Sequence, residues 1–443
     1  MKLLAPVLLS AVVFGALSTS AGAGTASAQS GPAPAASVSP ASLAPGTVID
    51  ANNLSSYTQY LPAAAQSAIR HGLKIVVVPT RRLDWSAGFT QATEKYSPQV
   101  GLDKDDYITN YMAGAPFPTV DVSDPKAAVK IAYNWHMGPF MPDDFSLQPW
   151  GSYAYSDAGG VSGIGPEDNY SFSCDHLSFL RFAHRTEVDP RPELPNNAEG
   201  FEWKARCNAW TQNPMEGIGE GAGIWLRFTD PRRTDEYYNL EPHARRVRRA
   251  TATDVTDQNC RSCHQPYWAY TLPKTEEFSY RLLGTTPLLA CLTSSNEPAG
   301  LEGKDKSFTL TQEPFELRSA YIIEMTSNIR GFTNLRTLVF IDTEAYVWLA
   351  AEFFNGYERT EIAIPLWHSR PSPAGGNLFD LAGEFYVPLV QVPQTVNHPV
   401  GYGQPGYAKW FFRTLVPAHE PFNQKINTGE VPETTFNPQA MSR

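Results

Sequence analysis

Thirty-seven prolines and 32 glycines punctuate this chain of 443 residues, and that density constrains the fold before any motif is considered. Proline brings no N–H to a helix interior or a central strand, and glycine loses the most conformational freedom on ordering. Such a chain favours short elements, many turns and long loops. Apolar residues supply 42% of the sequence and aromatic residues 12%, enough for a substantial core. The expected class is mainly β, with a few helices.

The amino terminus reads as an export signal. Met1-Lys2 is a short basic start, Leu3 to Ala16 is an apolar run, and Ala26-Ser27-Ala28 is a small-x-small cleavage motif. Residues 1–28 are the expected signal peptide, cleaved after Ala28, which places the mature protein in the periplasm or outside the cell. No cysteine follows that site, which argues against a bacterial lipid anchor. No later run is long and apolar enough to span a bilayer. Residues 29–46, rich in Pro, Ala and Ser, read as a flexible lead-in, and 47–443 as a single domain. A net charge of −10 argues against nucleic-acid binding.

Local patterns place the elements. Leu61 to His71 reads as a helix with Pro62 in its first turn, and Leu73 to Val78 as a strand closed by Pro79. Pro125 to Trp135 reads as a helix capped by Asp124. Pro139 to Gly163 lacks periodicity and reads as an irregular loop. Ala222–Phe228 and Glu236–Leu240, around Asp230-Pro231, form a hairpin pattern. Tyr321–Thr326, Leu335–Asp342 and Tyr346–Phe354 suggest an antiparallel meander, with Gly331 and Asn355-Gly356 as turn chemistry. From about Trp367 the chain is proline-rich and reads as long loops.

The segment at about 250–275 carries the sharpest chemistry. Cys260-Arg261-Ser262-Cys263-His264 is a C-x-x-C-H run, the attachment signature of c-type haem. Two thiols at this spacing can add to the two vinyl groups of one haem, and His264 is then placed as proximal iron ligand. A local redox disulfide and half of a zinc site are the competing readings. The zinc version would draw on Cys174 and Cys207 as well. If haem takes Cys260 and Cys263, Cys174 can pair with Cys207 and leave Cys291 as a buried thiol or an alternative partner. Met215, in Asn213-Pro214-Met215, is the distal-ligand candidate on the iron. His136, Met137, His176, His184 and His243 are others. A His/Met pair would serve electron transfer with a redox partner, whereas an open position would permit oxidation chemistry.

Three further clusters have bland readings. Arg245, Arg246, Arg248 and Arg249 fit an anion patch, or ion pairs such as those with Asp235 and Glu236 that protect an edge strand. Trp135, Phe140, Phe145, Trp150, Tyr153 and Tyr155 fit either a pocket lining or core packing. Gly219-Glu220-Gly221-Ala222-Gly223 lacks the strand-then-helix context of a phosphate loop and fits a bend in a sheet. No G-x-S-x-G or H-E-x-x-H motif occurs, and no catalytic carboxylate pair stands out.

Several phrases in order carry a resemblance. They are Tyr111-Met112-Ala113-Gly114-Ala115-Pro116-Phe117-Pro118, Asp124-Pro125, Ala128 to Asn134, Arg245-Arg246-Val247-Arg248-Arg249, Tyr280-Arg281-Leu282-Leu283-Gly284, Glu316-Leu317-Arg318, and the strand pair containing Asp342. From about Thr47 to past Phe354 the chain resembles a family of exported Gram-negative proteins of unassigned function, many labelled outer-membrane lipoprotein-sorting proteins. That family is similar in fold to the LolA and LolB carriers. The resemblance implies a strongly curved antiparallel sheet, an unclosed half-barrel whose concave face holds an apolar, lipid-like ligand. It also implies association with the outer membrane, and as partners an inner-membrane transporter of the resistance-nodulation-division type or an outer-membrane protein. The C-x-x-C-H run departs from the family pattern and reads as an addition to the carrier fold.

Overall fold

The computed structural model describes residues 43–70, 73–140, 142–148, 150–156, 170–174, 176–209, 221–241, 246–250, 274–294, 312–328, 336–355, 358–372, 375–388, 407–412 and 423–441. The expected signal peptide and most of the lead-in lie outside these residues.

Strand β1 (Val48–Ile49), helix α1 (Ala63–Arg70), β2 (Lys74–Val77) and α2 (Ala87–Tyr96) open the fold, followed by β3 (Gly101–Leu102), β4 (Ile108–Thr109) and α3 (Ala127–His136). Then come β5 (Asp144–Gln148), β6 (Trp150–Ser156), β7 (Tyr170–Cys174), β8 (His176–Arg181), β9 (Phe201–Ala209), β10 (Gly221–Phe228), β11 (Glu236–Glu241) and β12 (Arg246–Ala250). The second half contains β13 (Phe278–Ala290), β14 (Gln312–Ser327), β15 (Arg336–Asp342), β16 (Trp348–Asn355), β17 (Glu358–Pro371), β18 (Asn377–Pro388), β19 (Tyr407–Phe412) and β20 (Asn423–Ile426). The protein is mainly β, as its composition predicts. No helix among the described residues is long and apolar enough to cross a membrane.

The strands form two large sheets and one small ladder. The larger sheet runs β1-β2-β14-β15-β16-β17-β18-β19-β6-β7, with β13 also paired to β14. The second runs β12-β11-β10-β9-β8-β5-β20. Among the described residues no ladder closes either sheet. One residue separates β5 from β6 and one separates β7 from β8, yet β5 pairs β8 in one sheet while β6 pairs β7 in the other. A single long hairpin therefore serves both sheets and turns a corner between them. A register shift at Trp150/Gly151 marks that corner.

One apolar cluster spans both sheets. Ile323, Val339, Ile362 and Trp367 come from the larger sheet, and Phe145, Phe179 and Trp203 from the second. Helix α1 adds Ala64, Ala65, Ala68 and Ile69, the buried face of a short amphipathic helix. A smaller cluster of Leu180, Phe182, Ile224, Leu226 and Phe228 is covered by Val431, Phe436 and Met441 near the carboxyl end.

Three sequence expectations need correction. Helix α3 starts at Ala127, not Pro125. Asp124 instead makes a turn, its Oδ1 accepting from the Lys126 N–H at 2.8 Å, because a side chain of this length closes most readily two residues on. The stretch from Pro139 contains β5 and β6 rather than only a loop. Beyond Trp367 the chain forms the rest of β17 and then β18 to β20 rather than loops. Prolines do not exclude these strands because pairing changes around them. The β16 ladder ends at Ala363, and beyond Pro365 the chain instead bonds to the stretch after β13, Trp367 N–H donating to the Cys291 carbonyl at 3.0 Å.

Candidate functional site

A polar cleft of about 210 Å³ opens where the end of α3, β4, β9, β10 and the lead-in to β13 meet. Helix α3 ends at His136, which is 8% exposed. Its Nδ1 is hydrogen-bonded to Thr275 Oγ1. Its Nε2 is buried without a hydrogen-bond partner. An unsatisfied buried polar atom costs about 1–3 kcal/mol, so this one is a feature to be explained. A helix carboxyl end favours a protonated imidazole. Burial wins here, helped by nearby Arg227, and lowers the His136 pKa to about 3. The ring is neutral at physiological pH.

His184 lines the same cleft. It sits after β8 at φ 67°, a left-handed conformation that side chains other than glycine rarely adopt. Its Nδ1 donates to the Met112 carbonyl at 2.8 Å, and its ring lies 4.5 Å from that of Tyr111. A carbonyl only accepts, so Nδ1 carries the proton and Nε2 keeps the lone pair. Burial lowers the His184 pKa to about 4, the Met112 carbonyl opposing and Arg181 assisting.

The opposite wall is charged and internally paired. Arg227 Nε lies 3.0 Å from Asp235 Oδ2, with the guanidinium 4.8 Å from the Trp203 ring. Lys274 Nζ donates to the carbonyls of Asp230 (3.0 Å) and Arg233 (2.6 Å) and lies 3.2 Å from Asp235. Burial raises the Glu202 carboxyl pKa, and Arg227 and Arg181 offset only part of this. Tyr133 donates to Glu276 at 2.8 Å. The cleft is thus smaller than the roughly 300–1,000 Å³ of small-molecule pockets and far more polar. Its size and polarity do not suit an acyl chain.

Of the sequence candidates, the fold brings His136, Met137 and His184 to this one cleft. Cys260, Cys263, His264, Met215 and His243 lie outside the described residues, as do the side chains of Cys174, Cys207 and His176. Cys291 is a buried free thiol. The arginine cluster follows its bland reading: β12 is an edge strand, and Arg249 lies 3.1 Å from Glu236. Asp235, however, pairs with Arg227 and Lys274. Trp135, Phe140 and Phe145 are core residues. A Cβ on Gly223 would fall 2.9 Å from the Tyr237 hydroxyl, so this glycine makes room for a cross-strand ring. Glu202, Arg227, Lys274 and Thr275 were not legible as site residues, because nothing local distinguishes them from ordinary strand charges. Among the described residues no group of three or more His, Cys, Asp or Glu is arranged to hold a metal ion.

A family model described as a protein of unknown function, DUF1329, matches residues 48–358. No curated protein matches the sequence. Solved structures similar to it include an outer membrane lipoprotein-sorting protein domain from Vibrio parahaemolyticus and a DUF1329 family protein from Desulfovibrio piger. Each is 10% identical with a TM-score of 0.44, covering 72% of this chain and 100% of its own. A LolA superfamily protein from Nitrosomonas europaea is 10% identical, with a TM-score of 0.36 over 70% of this chain and 97% of its own.

Proposed function

The chain belongs to the DUF1329 family, and from that premise we propose that it is an exported, periplasmic carrier or accessory protein. It binds an apolar, lipid-like ligand on its open sheet and holds one c-type haem on Cys260 and Cys263, with His264 as proximal ligand. The observation that supports the carrier part is an incompletely covered apolar strip on the larger sheet. Ile322 pairs Phe340 and Glu324 pairs Leu338, so Ile322, Leu338 and Phe340 share one face. All three are only half-buried. Leu283, at the irregularity in β13, is 44% exposed beside Gly284. Bridges from Arg281 and Arg336 to Glu324 rim the strip. An apolar strip with a charged rim is the surface an acyl chain would cover.

Delipidated protein titrated with a fluorescent fatty acid tests this part. The wild type is expected to bind, and Leu338→Glu to lose at least tenfold in affinity while remaining folded. A flat wild-type titration would remove the carrier reading. For the haem part, protein made in a host with cytochrome c maturation is expected to retain haem through acid-acetone extraction. Cys263→Ser should change the pyridine-haemochrome spectrum from a two-bond to a one-bond type, and an unchanged spectrum would overturn the attachment.

A second reading, a monohaem electron-transfer protein, is favoured by the imidazole-lined cleft. It predicts reversible reduction with a redox partner and no fatty-acid binding.

A further inference from the structure

We propose that the ligand of the apolar strip is a single-chain amphiphile with a carboxylate head, and that Arg281, Arg336 and Arg359 form its head-group subsite. The inference rests on the carrier part of the function proposed above and adds the chemical class of the ligand.

An apolar row and a charged row lie side by side on one face of the larger sheet. Directly paired residues on neighbouring strands share a face. Gly284, Ile322, Phe340 and Ala350 pair in this way across β13 to β16 and carry no charge. A Cβ on Gly284 would meet nothing within 4 Å, so the space beside Ile322 is open. The adjoining row is Arg281, Glu324, Leu338 and Glu352. Beyond it, Arg336 and Arg359 flank Phe354. An amphiphile needs this juxtaposition: apolar surface for its chain, and charge one row away for its head.

The sign of the charge selects the head. Three guanidiniums share two carboxylates here. Glu324 Oε1 accepts from Arg281 Nε (3.1 Å) and Nη2 (2.8 Å), and its Oε2 accepts from Arg336 Nη1 at 3.2 Å. Both oxygens of Glu324 are therefore taken. Arg359 Nη1 lies 3.1 Å from Glu352 Oε2. One positive charge is left over, on a chain whose net charge is −10. The molecule as a whole repels an anion, and this patch attracts one. The side chains of Arg281, Arg336 and Arg359 are 68%, 34% and 42% exposed, so a ligand can reach them. Arg336 is also held over the Phe354 ring at 4.0 Å, which fixes its plane.

Edge protection does not account for the cluster. Arg281 lies on β13, an edge strand, but β15 and β17, which carry Arg336 and Arg359, are interior strands. The guanidinium fork matches the two oxygens of a carboxylate, and one surplus charge balances one carboxylate. The apolar row has space for one chain only. On its far side the next row, Thr286, Ala320 and Asp342, ends in the buried Arg318–Asp342 pair, so a second chain would lie against charge on either side.

The test uses the full-length exported protein stripped of lipid. The uncharged fluorescent probe N-phenyl-1-naphthylamine reports on the strip, and decanoate, decanol and decylammonium compete with it. Decanoate should displace the probe at about tenfold lower concentration than decanol, the worth of one charge-assisted pair, and decylammonium should be the weakest. Arg336→Met should bring decanoate to the level of decanol while leaving decanol unchanged. Glu324→Gln should act in the opposite sense and tighten decanoate alone, and it carries the test if Arg336→Met fails to fold. Equal displacement by decanoate and decanol, a preference for decylammonium, or no change for decanoate in Glu324→Gln overturns the carboxylate subsite while probe binding upholds the carrier. A probe and competitors that all fail to bind overturn the carrier reading, and this inference with it.

Discussion

At the scale of single residues, the most committed interaction in the described structure is an ion pair rather than a site. Arg318 grips Asp342 with two hydrogen bonds, Nε at 2.7 Å and Nη2 at 3.1 Å, and both side chains are buried. Arg318 also reaches Glu344 at 2.7 Å and the Arg81 carbonyl at 2.7 Å. Asp342 Oδ1 in turn accepts from the N–H groups of Glu344 and Ala345, closing the turn after β15. A buried pair of this kind adds little over an apolar replacement, but removing one partner strands a charge. Arg318→Met should therefore cost about 3–5 kcal/mol in urea unfolding. A loss below about 1 kcal/mol would show that water reaches Asp342. A second prediction concerns His184. Its pKa of about 4 when folded lies below the ordinary 6.5, so between these values the unfolded chain takes up a proton that the folded one refuses. This contribution to stability is present above pH 6.5 and is lost as pH falls towards 4, at up to about 1.4 kcal/mol per pH unit. His184→Asn keeps a residue that tolerates the left-handed backbone and removes the titration. The wild-type advantage over this variant should shrink from pH 7 to 4, and a pH-independent difference would assign the His184 effect to packing alone.

At the scale of elements, what the sequence revealed follows from how local each signal is. The α1–β2 pair, the β10–β11 hairpin and the β14–β16 meander were legible because each carries its own periodicity and its own turn. β5 and β6 were hidden because they are short and belong to a hairpin shared by two sheets, so the pairing that defines each is non-local. β17 was hidden by Pro365, which reads as a strand breaker until the change of ladder partner beside it is known. The site divides in the same way. His136, Met137 and His184 could be named from residue type, but their convergence depends on non-local packing. The arginines of β12 permit a prediction at this scale. Arg246, Arg248 and Arg249 are exposed on an edge strand, and exposed ion pairs contribute at most about 1 kcal/mol. Their role is to discourage edge-to-edge pairing. Replacing all three with threonine should change the unfolding free energy by less than about 2 kcal/mol while making the protein self-associate in light scattering. A variant that stays monomeric at high concentration would mean that the arginines do not guard the edge.

At the scale of the whole molecule, the shared hairpin and the shared core make the two sheets interdependent. Phe179 on β8 belongs to the second sheet, yet it lies in the same cluster as Val339 and Ile362 of the larger one. It is fully buried, stacks on Phe145 at 5.2 Å and meets Trp203 at 5.7 Å. Truncating a buried phenylalanine to alanine costs about 3–5 kcal/mol in lost transfer energy and cavity. If each sheet were stabilised by its own core, Phe179→Ala would weaken only the second sheet, and a separate early transition would appear. A common core instead requires both sheets to melt together. Trp203 reports on the second sheet, and Trp348 and Trp367 on the larger one. Because the chain has 10 tryptophans, each of these three is replaced by phenylalanine in turn, and its signal is taken as the difference from wild-type fluorescence. These difference signals and far-ultraviolet circular dichroism should give coincident transitions, all lowered equally by Phe179→Ala. Non-coincident curves would mean that the corner at β5–β8 is a hinge between two independently stable layers rather than the place where one core binds them.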